Sequence, residues 1–230
     1  MSKAREFTNF IEQNMYVKLT FTSNILGATA ADKEIYTNYI GSKAPDAKTL
    51  QEELEDVGLS DMVERGTDVF LANAEGYPYL SNHVIKGMFK ANAKAIRRIP
   101  GKKFHSSKMS AYIQKIEQLV QVYPRKLRLI PPDNQGDIRE MVSVLQRPLR
   151  ASTPQGERIA LASSEMIPED SMIAFELQLM DKTMEPAIVE WLDFGMYNGL
   201  GQWRNGGYGQ FEWELIDEDE FFSLKEDWQG

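Results

Sequence analysis

Five glycines, Gly199, Gly201, Gly206, Gly207 and Gly209, fall within eleven residues near the end of the chain, with Trp203, Arg204 and Tyr208 between them. Glycine reaches backbone angles barred to other residues and lets a second backbone or a ligand approach closely. Successive N–H groups in such a loop make a concave anion site, so phosphate binding is the first chemistry the spacing suggests. Arg204 would add charge, and Trp203 or Tyr208 would offer a flat ring on which a base can stack. The competing reading is a long turn that needs positive φ angles and nothing more. A glycine pattern alone does not separate the two.

A second concentration lies upstream. From Tyr77 to Ile116 the chain carries Lys86, Lys90, Lys94, Arg97, Arg98, Lys102, Lys103, Lys108 and Lys115 and no acidic residue. Carboxylates gather elsewhere, in Glu52–Asp56 and in Asp217–Glu220. The net charge of −8 argues against nucleic acid, but segregated charge polarises a surface whatever its total. The bland alternative is a solvated lysine-rich helix face. Arg147, Arg150 and Arg158 are further cations in a stretch without clear periodicity, and they read as ligand contacts on an arm or as solvated side chains.

The composition also excludes chemistry. Cysteine is absent and His83 and His105 are the two histidines, so disulfides, thiolate metal sites and multi-histidine centres are ruled out. No catalytic residue, metal ligand or cofactor is assigned. No apolar run reaches transmembrane length and no leader peptide is apparent, so the expectation is a cytoplasmic protein with no membrane partner.

The elements that must position these groups follow from periodicity. Met15–Thr22 alternates as a first strand, and a long polar interval, 23–67, follows as an insertion with a short helix at Lys48–Val57. Val69–Asn73 reads as a strand. Val84, Ile85, Met88, Phe89, Ala93 and Ile96 make the apolar stripe of a helix capped by Ser81 or Asn82, with Lys86, Lys90, Lys94 and Arg97 on another face. Gly87 interrupts that helix, where glycine costs about 1 kcal/mol against alanine, and suggests close packing on another backbone or a ligand. Ser107–Val122 reads as one further helix. Lys126–Ile130 and Met141–Leu145 read as strands, 146–168 as an irregular arm-like segment, and Ser171–Met180 as a strand. A helix at 186–198 leads to the glycine loop, a strand at 208–216 and an acidic tail at 217–230. The order is a ferredoxin-like, modified RRM βαββαβ core in one α+β domain, 1–230, with large insertions after the first strand and between the halves.

Three of these motifs, in this order, resemble the CRISPR-associated RAMP superfamily. Strand Ser171–Met180, preceded by Glu165-Met-Ile-Pro168, leads through a helix to Gly199-x-Gly-x-x-Arg-x-Gly-Gly-Tyr-Gly209, similar to the glycine-rich loop of that superfamily. Pro78-Tyr-Leu-Ser-Asn-His-Val-Ile-Lys-Gly-Met-Phe-Lys90 resembles the start of the first helix in its backbone subunits, although Leu80-Ser-Asn-His83 replaces the usual Pro-Gly-Ser-Ser run. The opening strand ending near Leu26-Gly27 fits more loosely.

The resemblance implies a guide-RNA-binding subunit that stacks head to tail along single-stranded RNA beside other effector-complex subunits and projects a hairpin or arm between bases. The residues it marks for RNA binding are Asn82, His83, Lys86 and Lys90 in the first helix and Gly199 to Gly209 with Arg204 in the loop. Gly87, Lys94, Arg147, Arg150 and Arg158 join them from the residue reading. Some members cleave RNA with an aspartate after the first strand; Asp32 matches by position only, leaving a metal-dependent ribonuclease as an alternative. Ahead of that stands the first alternative, an interaction protein, such as a phage-encoded one that mimics or inhibits such a complex or serves another nucleic-acid pathway, whose acidic 212–227 region imitates nucleic acid.

Overall fold

The computed structural model describes residues 9–30, 67–101, 103–153 and 156–224, with backbone alone at 30, 67, 148–153 and 156–161. Its central element is β1 (Gln13–Phe21), in which Met15, Val17, Leu19 and Phe21 are buried and the intervening side chains face the other way. Strict alternation gives a strand one apolar face, and here that face is covered by two helices. β1 pairs antiparallel with β11 (Met172–Leu179) on one side, Val17 opposite Phe175. On the other it pairs with β12 (Phe211–Ile216), Val17 opposite Leu215. A fourth strand, β7 (Val120–Tyr123), pairs antiparallel with β11, so the order across the sheet is β12-β1-β11-β7.

Helix α1 (His83–Ile96) follows β1 in the core's chain order and α4 (Glu185–Asn198) follows β11. Both pack on the apolar face of the sheet. Phe89 of α1 meets the fully buried Trp191 of α4 at a ring separation of 5.5 Å. The buried Asn92 side chain donates to the Trp191 carbonyl at 2.8 Å and accepts from Asn198 at 2.7 Å, so its amide leaves no unmet cost in the core.

Short strands extend this core on one side. β2 (Ile25–Leu26), β3 (Thr29–Ala30) and β4 (Thr67–Val69) join a sheet ordered β2-β10-β4-β3, where β10 (Gly156–Ile167) also pairs with β9 (Ser143–Thr153). The third sheet is β5 (Leu71–Ala72), β6 (Pro78–Ser81) and β8 (Lys126–Arg128).

The expected strand Val69–Asn73 is therefore two strands in different sheets, divided at Phe70. The one helix expected over Ser107–Val122 is three elements. A single turn, α2 (His105–Lys108), is followed by a left-handed residue, Ala111 at φ 50°, then α3 (Tyr112–Leu119), and residues 120–123 are β7. The alternating Val120-Gln-Val-Tyr123 gains a partner strand and buries both valines, which outweighs the helical period running up to it.

The segment 146–168, read as irregular, is the long hairpin β9–β10, in register from Ser143 opposite Met166 to Thr153 opposite Gly156. Pro148 disguises it. A strand with one neighbour tolerates proline, and β9 pairs only with β10 among the described strands. The expected strand from Met141 starts at Ser143 after a short 3-10 turn, Ile138–Met141. The acidic segment from 217 also folds: Asp217 accepts the Glu220 N–H at 2.8 Å and caps α5 (Glu218–Ser223). The helix expected at Lys48–Val57 and most of the 23–67 insertion lie outside the described residues, as do residues 225–230.

Candidate nucleic-acid interface

The glycine loop is closed upon itself. α4 ends where the Gly199 N–H donates to Gly195, and the loop returns so that Leu200 N–H meets the Gly209 carbonyl at 2.8 Å. Gly209 N–H then reaches the Asn24 carbonyl at 2.9 Å, and Gln210 N–H the Ser23 hydroxyl at 2.9 Å, which ties the loop to the turn after β1. Gly206 and Gly207 donate to Trp203 and Arg204 around a 3-10 turn. The amides of residues 199, 200, 206, 207, 209 and 210 are thus engaged within the protein, which leaves a narrower anion cradle than the spacing suggests. Gly209 shows why the residue type is fixed: its φ is 69°, and a Cβ there would overlap the Leu200 carbonyl oxygen. Gly199, Gly201 and Gly207 also have positive φ.

Trp203 is the loop's organising side chain. It holds a left-handed backbone, φ 50° and ψ 40°, unusual for a bulky residue. Its ring stacks on Tyr208 with centroids 5.1 Å apart and planes 17° apart. The guanidinium carbon of Arg147, from β9, lies 4.2 Å from the Trp203 ring centroid. Gly206 lies so close that a Cβ there would be 2.8 Å from ring atoms.

Beside the ring, Gln202 joins three elements. Its amide oxygen accepts from Ser164 Oγ at 3.0 Å and Arg147 Nη2 at 3.5 Å, and its amide nitrogen donates to Asp68 Oδ2 at 2.5 Å. The loop, the root of the hairpin and β4 converge there. Arg147 keeps its Nε and Nη1 shielded and without an acceptor among the described residues. Next to Ser164, Glu165 accepts the Phe70 N–H at 2.8 Å; burial pushes its carboxyl above the ordinary value, and that hydrogen bond offsets part of the rise. The Arg204 side chain is half-buried and has no hydrogen-bond or ion-pair partner among the described residues.

The basic residues of α1 are arranged differently. Asn82 does not cap the helix; its side chain donates to the Val122 carbonyl at 2.7 Å and anchors the helix start to β7. His83 is exposed. Lys86 donates to the Glu117 carbonyl at 3.2 Å and to Gln121 at 3.3 Å, and Lys90 pairs with the Glu117 carboxylate at 2.7 Å. Burial, reinforced by the neighbouring Lys90, lowers the Lys86 pKa, with Glu117 opposing. Lys94 is exposed. Nothing approaches within 4 Å of a Cβ built at Gly87, so no packed neighbour in the described chain explains that glycine.

The fold thus gathers Arg147, Trp203, Tyr208 and the glycines at one site, and turns Lys86 and Lys90 toward α3. The side chains of Arg150 and Arg158 and all of Asp32 lie outside the described residues. Sequence reasoning missed Gln202, Asp68, Ser164 and Glu117. Gln202 stood inside the glycine stretch as its signal, whereas its partners come from distant segments. Among the described residues no helix is long and apolar enough to cross a membrane.

No protein-family model matches this chain, and no curated protein matches it. Solved structures do. A cryo-EM structure of the type III-B Cmr-beta complex bound to cognate target RNA contains a chain similar to this one at 12% identity and TM-score 0.47, covering 89% of this chain. This chain spans 61% of that one. The crystal structure of Cmr6 from Pyrococcus furiosus is similar at 11% identity and TM-score 0.43, over 86% of this chain and 97% of that one. A chain of a type IV-B CRISPR complex is similar at 10% identity and TM-score 0.45, over 90% and 91%.

Proposed function

We propose that this chain is a non-catalytic RNA-binding subunit of the RAMP type, built on a ferredoxin-like, modified RRM core, that lies along single-stranded guide RNA in a cytoplasmic CRISPR-like ribonucleoprotein. The observation that carries the reading is Arg204, held on the glycine loop beside the long hairpin with its guanidinium unpartnered among the described residues. A planar cation open to a phosphate, on a loop whose backbone is fixed by its own hydrogen bonds, suits a polyanionic strand. α1 supplies a second, basic strip through Lys94 and, once released from Glu117, Lys86 and Lys90. Head-to-tail copies and other effector subunits are its partners in this reading.

The test is to purify the protein, extract bound nucleic acid and weigh the particle by mass photometry with and without it. Multimers carrying RNA of regular length, lost in Lys86→Glu/Arg204→Glu, are the expected result. A nucleic-acid-free particle that ignores added oligonucleotide overturns the proposal.

One observation favours the interaction-protein alternative. The acidic C-terminal segment is an ordered helix, with Glu218, Asp219 and Glu220 in its first turn. Removal of residues 217–230 with loss of a protein partner, and no change in RNA binding, would select that reading.

A further inference from the structure

Trp203 is the ring that single-stranded nucleic acid would be expected to stack on. Its surroundings point elsewhere. Arg147 stands 4.2 Å from its centroid, Tyr208 is stacked 5.1 Å away, and Gly206 packs against the ring so closely that a methyl group there would collide. The ring remains 41% exposed, but the groups packed around it are the protein's own. Arg147, Tyr208 and the backbone at Gly206 therefore compete with any base for the ring.

The same contacts join parts of the chain far apart in sequence. Arg147 lies in β9 near the rooted end of the hairpin, where Ser163 and Ser164 of β10 pair with Thr67 and Asp68 of β4. Gln202, adjacent to Trp203, bonds Ser164, Arg147 and Asp68 at once. Two lines of attachment, one stacked and one hydrogen-bonded, therefore run from the loop to the hairpin root. The left-handed backbone of Trp203, a conformation costly for a bulky residue, persists where surrounding contacts over-determine it.

We infer that Arg147 and Trp203 form a latch that fixes the hairpin Ser143–Ile167 against the glycine loop, so that Trp203 is a positioning residue and not the base-stacking platform of the RNA site. The inference rests on the proposed RNA-binding function for its binding readout and on the geometry alone for its mechanical one. Arginine suits the role because its planar guanidinium stacks on an aromatic face, which an ammonium does not reproduce.

Two measurements on the full chain test it. Hydrogen exchange without RNA reads the mechanics: Arg147→Ala, Arg147→Lys and Trp203→Leu speed exchange in the hairpin amides by about tenfold, while amides of β1 and α1 keep their protection and Trp203→Phe leaves the hairpin as it was. Unchanged hairpin exchange in all of them removes the latch. Tryptophan emission reads the site: the Trp203 contribution, taken as wild type minus Trp203→Phe, is followed while a polyuridine 20-mer is added to saturation. Constant Trp203 emission with binding seen by anisotropy is the expected result. Strong quenching places a base on the indole and overturns the proposal. Absence of any polyuridine binding sinks the RNA reading instead, and the exchange data then decide the latch by themselves.

Discussion

Phe221, from the acidic helix α5, packs its ring 4.9 Å from that of Tyr16 on the central strand, the planes tilted by 33°, on the sheet face opposite the two core helices. Phe221 is completely buried. Beside it, Lys18 reaches Glu214 at 2.8 Å and Glu220 at 2.7 Å. Burial works against the charge of Lys18, but the two carboxylates outweigh it and hold its pKa above the ordinary lysine value. The sheet face left open by α1 and α4 is thus partly covered by the chain's own end.

Truncating that contact should loosen the fold. Phe221→Ala is expected to destabilise the protein by about 3 kcal/mol, the lower end for a buried phenylalanine because a helix of six residues can readjust. Urea denaturation measures it. A change below about 1 kcal/mol would mean that α5 rests on the sheet without supporting it.

Glu117 restrains the basic strip of α1. Replacement by glutamine removes the carboxylate from Lys90, whereas Lys86 keeps its hydrogen bonds to the residue 117 carbonyl and to Gln121. Oligonucleotide affinity at low salt is expected to rise by several fold, and the slope of log affinity against log salt to steepen by about one. Anisotropy titrations across a salt series read both, and an unchanged slope would remove Lys90 from the RNA contact.

Gly209→Ala tests the loop backbone. A Cβ at that position meets the Leu200 carbonyl, and φ is 69°, so the substitution is expected to cost about 2 kcal/mol or more. Differential scanning calorimetry reads the loss. At Gly207, where φ is 86° but nothing crowds the site, alanine should cost about 1 kcal/mol.

Glu165 predicts a pH dependence. An acid whose folded pKa lies above its unfolded value binds its proton more tightly in the folded state, so its contribution to stability falls as pH rises from the ordinary value of 4.5 through the raised one. Glu165→Gln should flatten that decline while its side-chain oxygen still accepts from Phe70. Denaturation midpoints at a series of pH values between 4 and 7 check the sign, and an identical profile in the variant refutes it.

The parts of the fold legible in the sequence were those whose period is unbroken. Met15 to Phe21 and the stripe from Ile85 to Ile96 each carry a clear alternation or helical repeat, and both elements stand where the pattern puts them. Val120–Tyr123 was hidden because its valines also continue a helical stripe; the choice is made by β11, some fifty residues later in the chain. The hairpin was hidden by Pro148 and by strands whose pairing depends on each other. At the site, Trp203, Tyr208 and Arg147 could be named from residue type. Their mutual stacking could not, because it depends on a hairpin root and a loop that only the folded chain brings together. The engaged amides of the glycine loop were invisible for the same reason: Asn24 and Ser23, which accept two of them, precede the loop by most of the chain.

The pairing of β3 with β4 sets Thr29 opposite Val69 and Ala30 opposite Asp68. The two points at which residues 31–66 join the rest of the chain are therefore neighbours across one antiparallel ladder, a neck closed by backbone hydrogen bonds. A change in the chain between Ala30 and Thr67 therefore enters and leaves the fold at one fixed neck, and that neck adjoins Asp68, which holds Gln202 beside the glycine loop and the hairpin root.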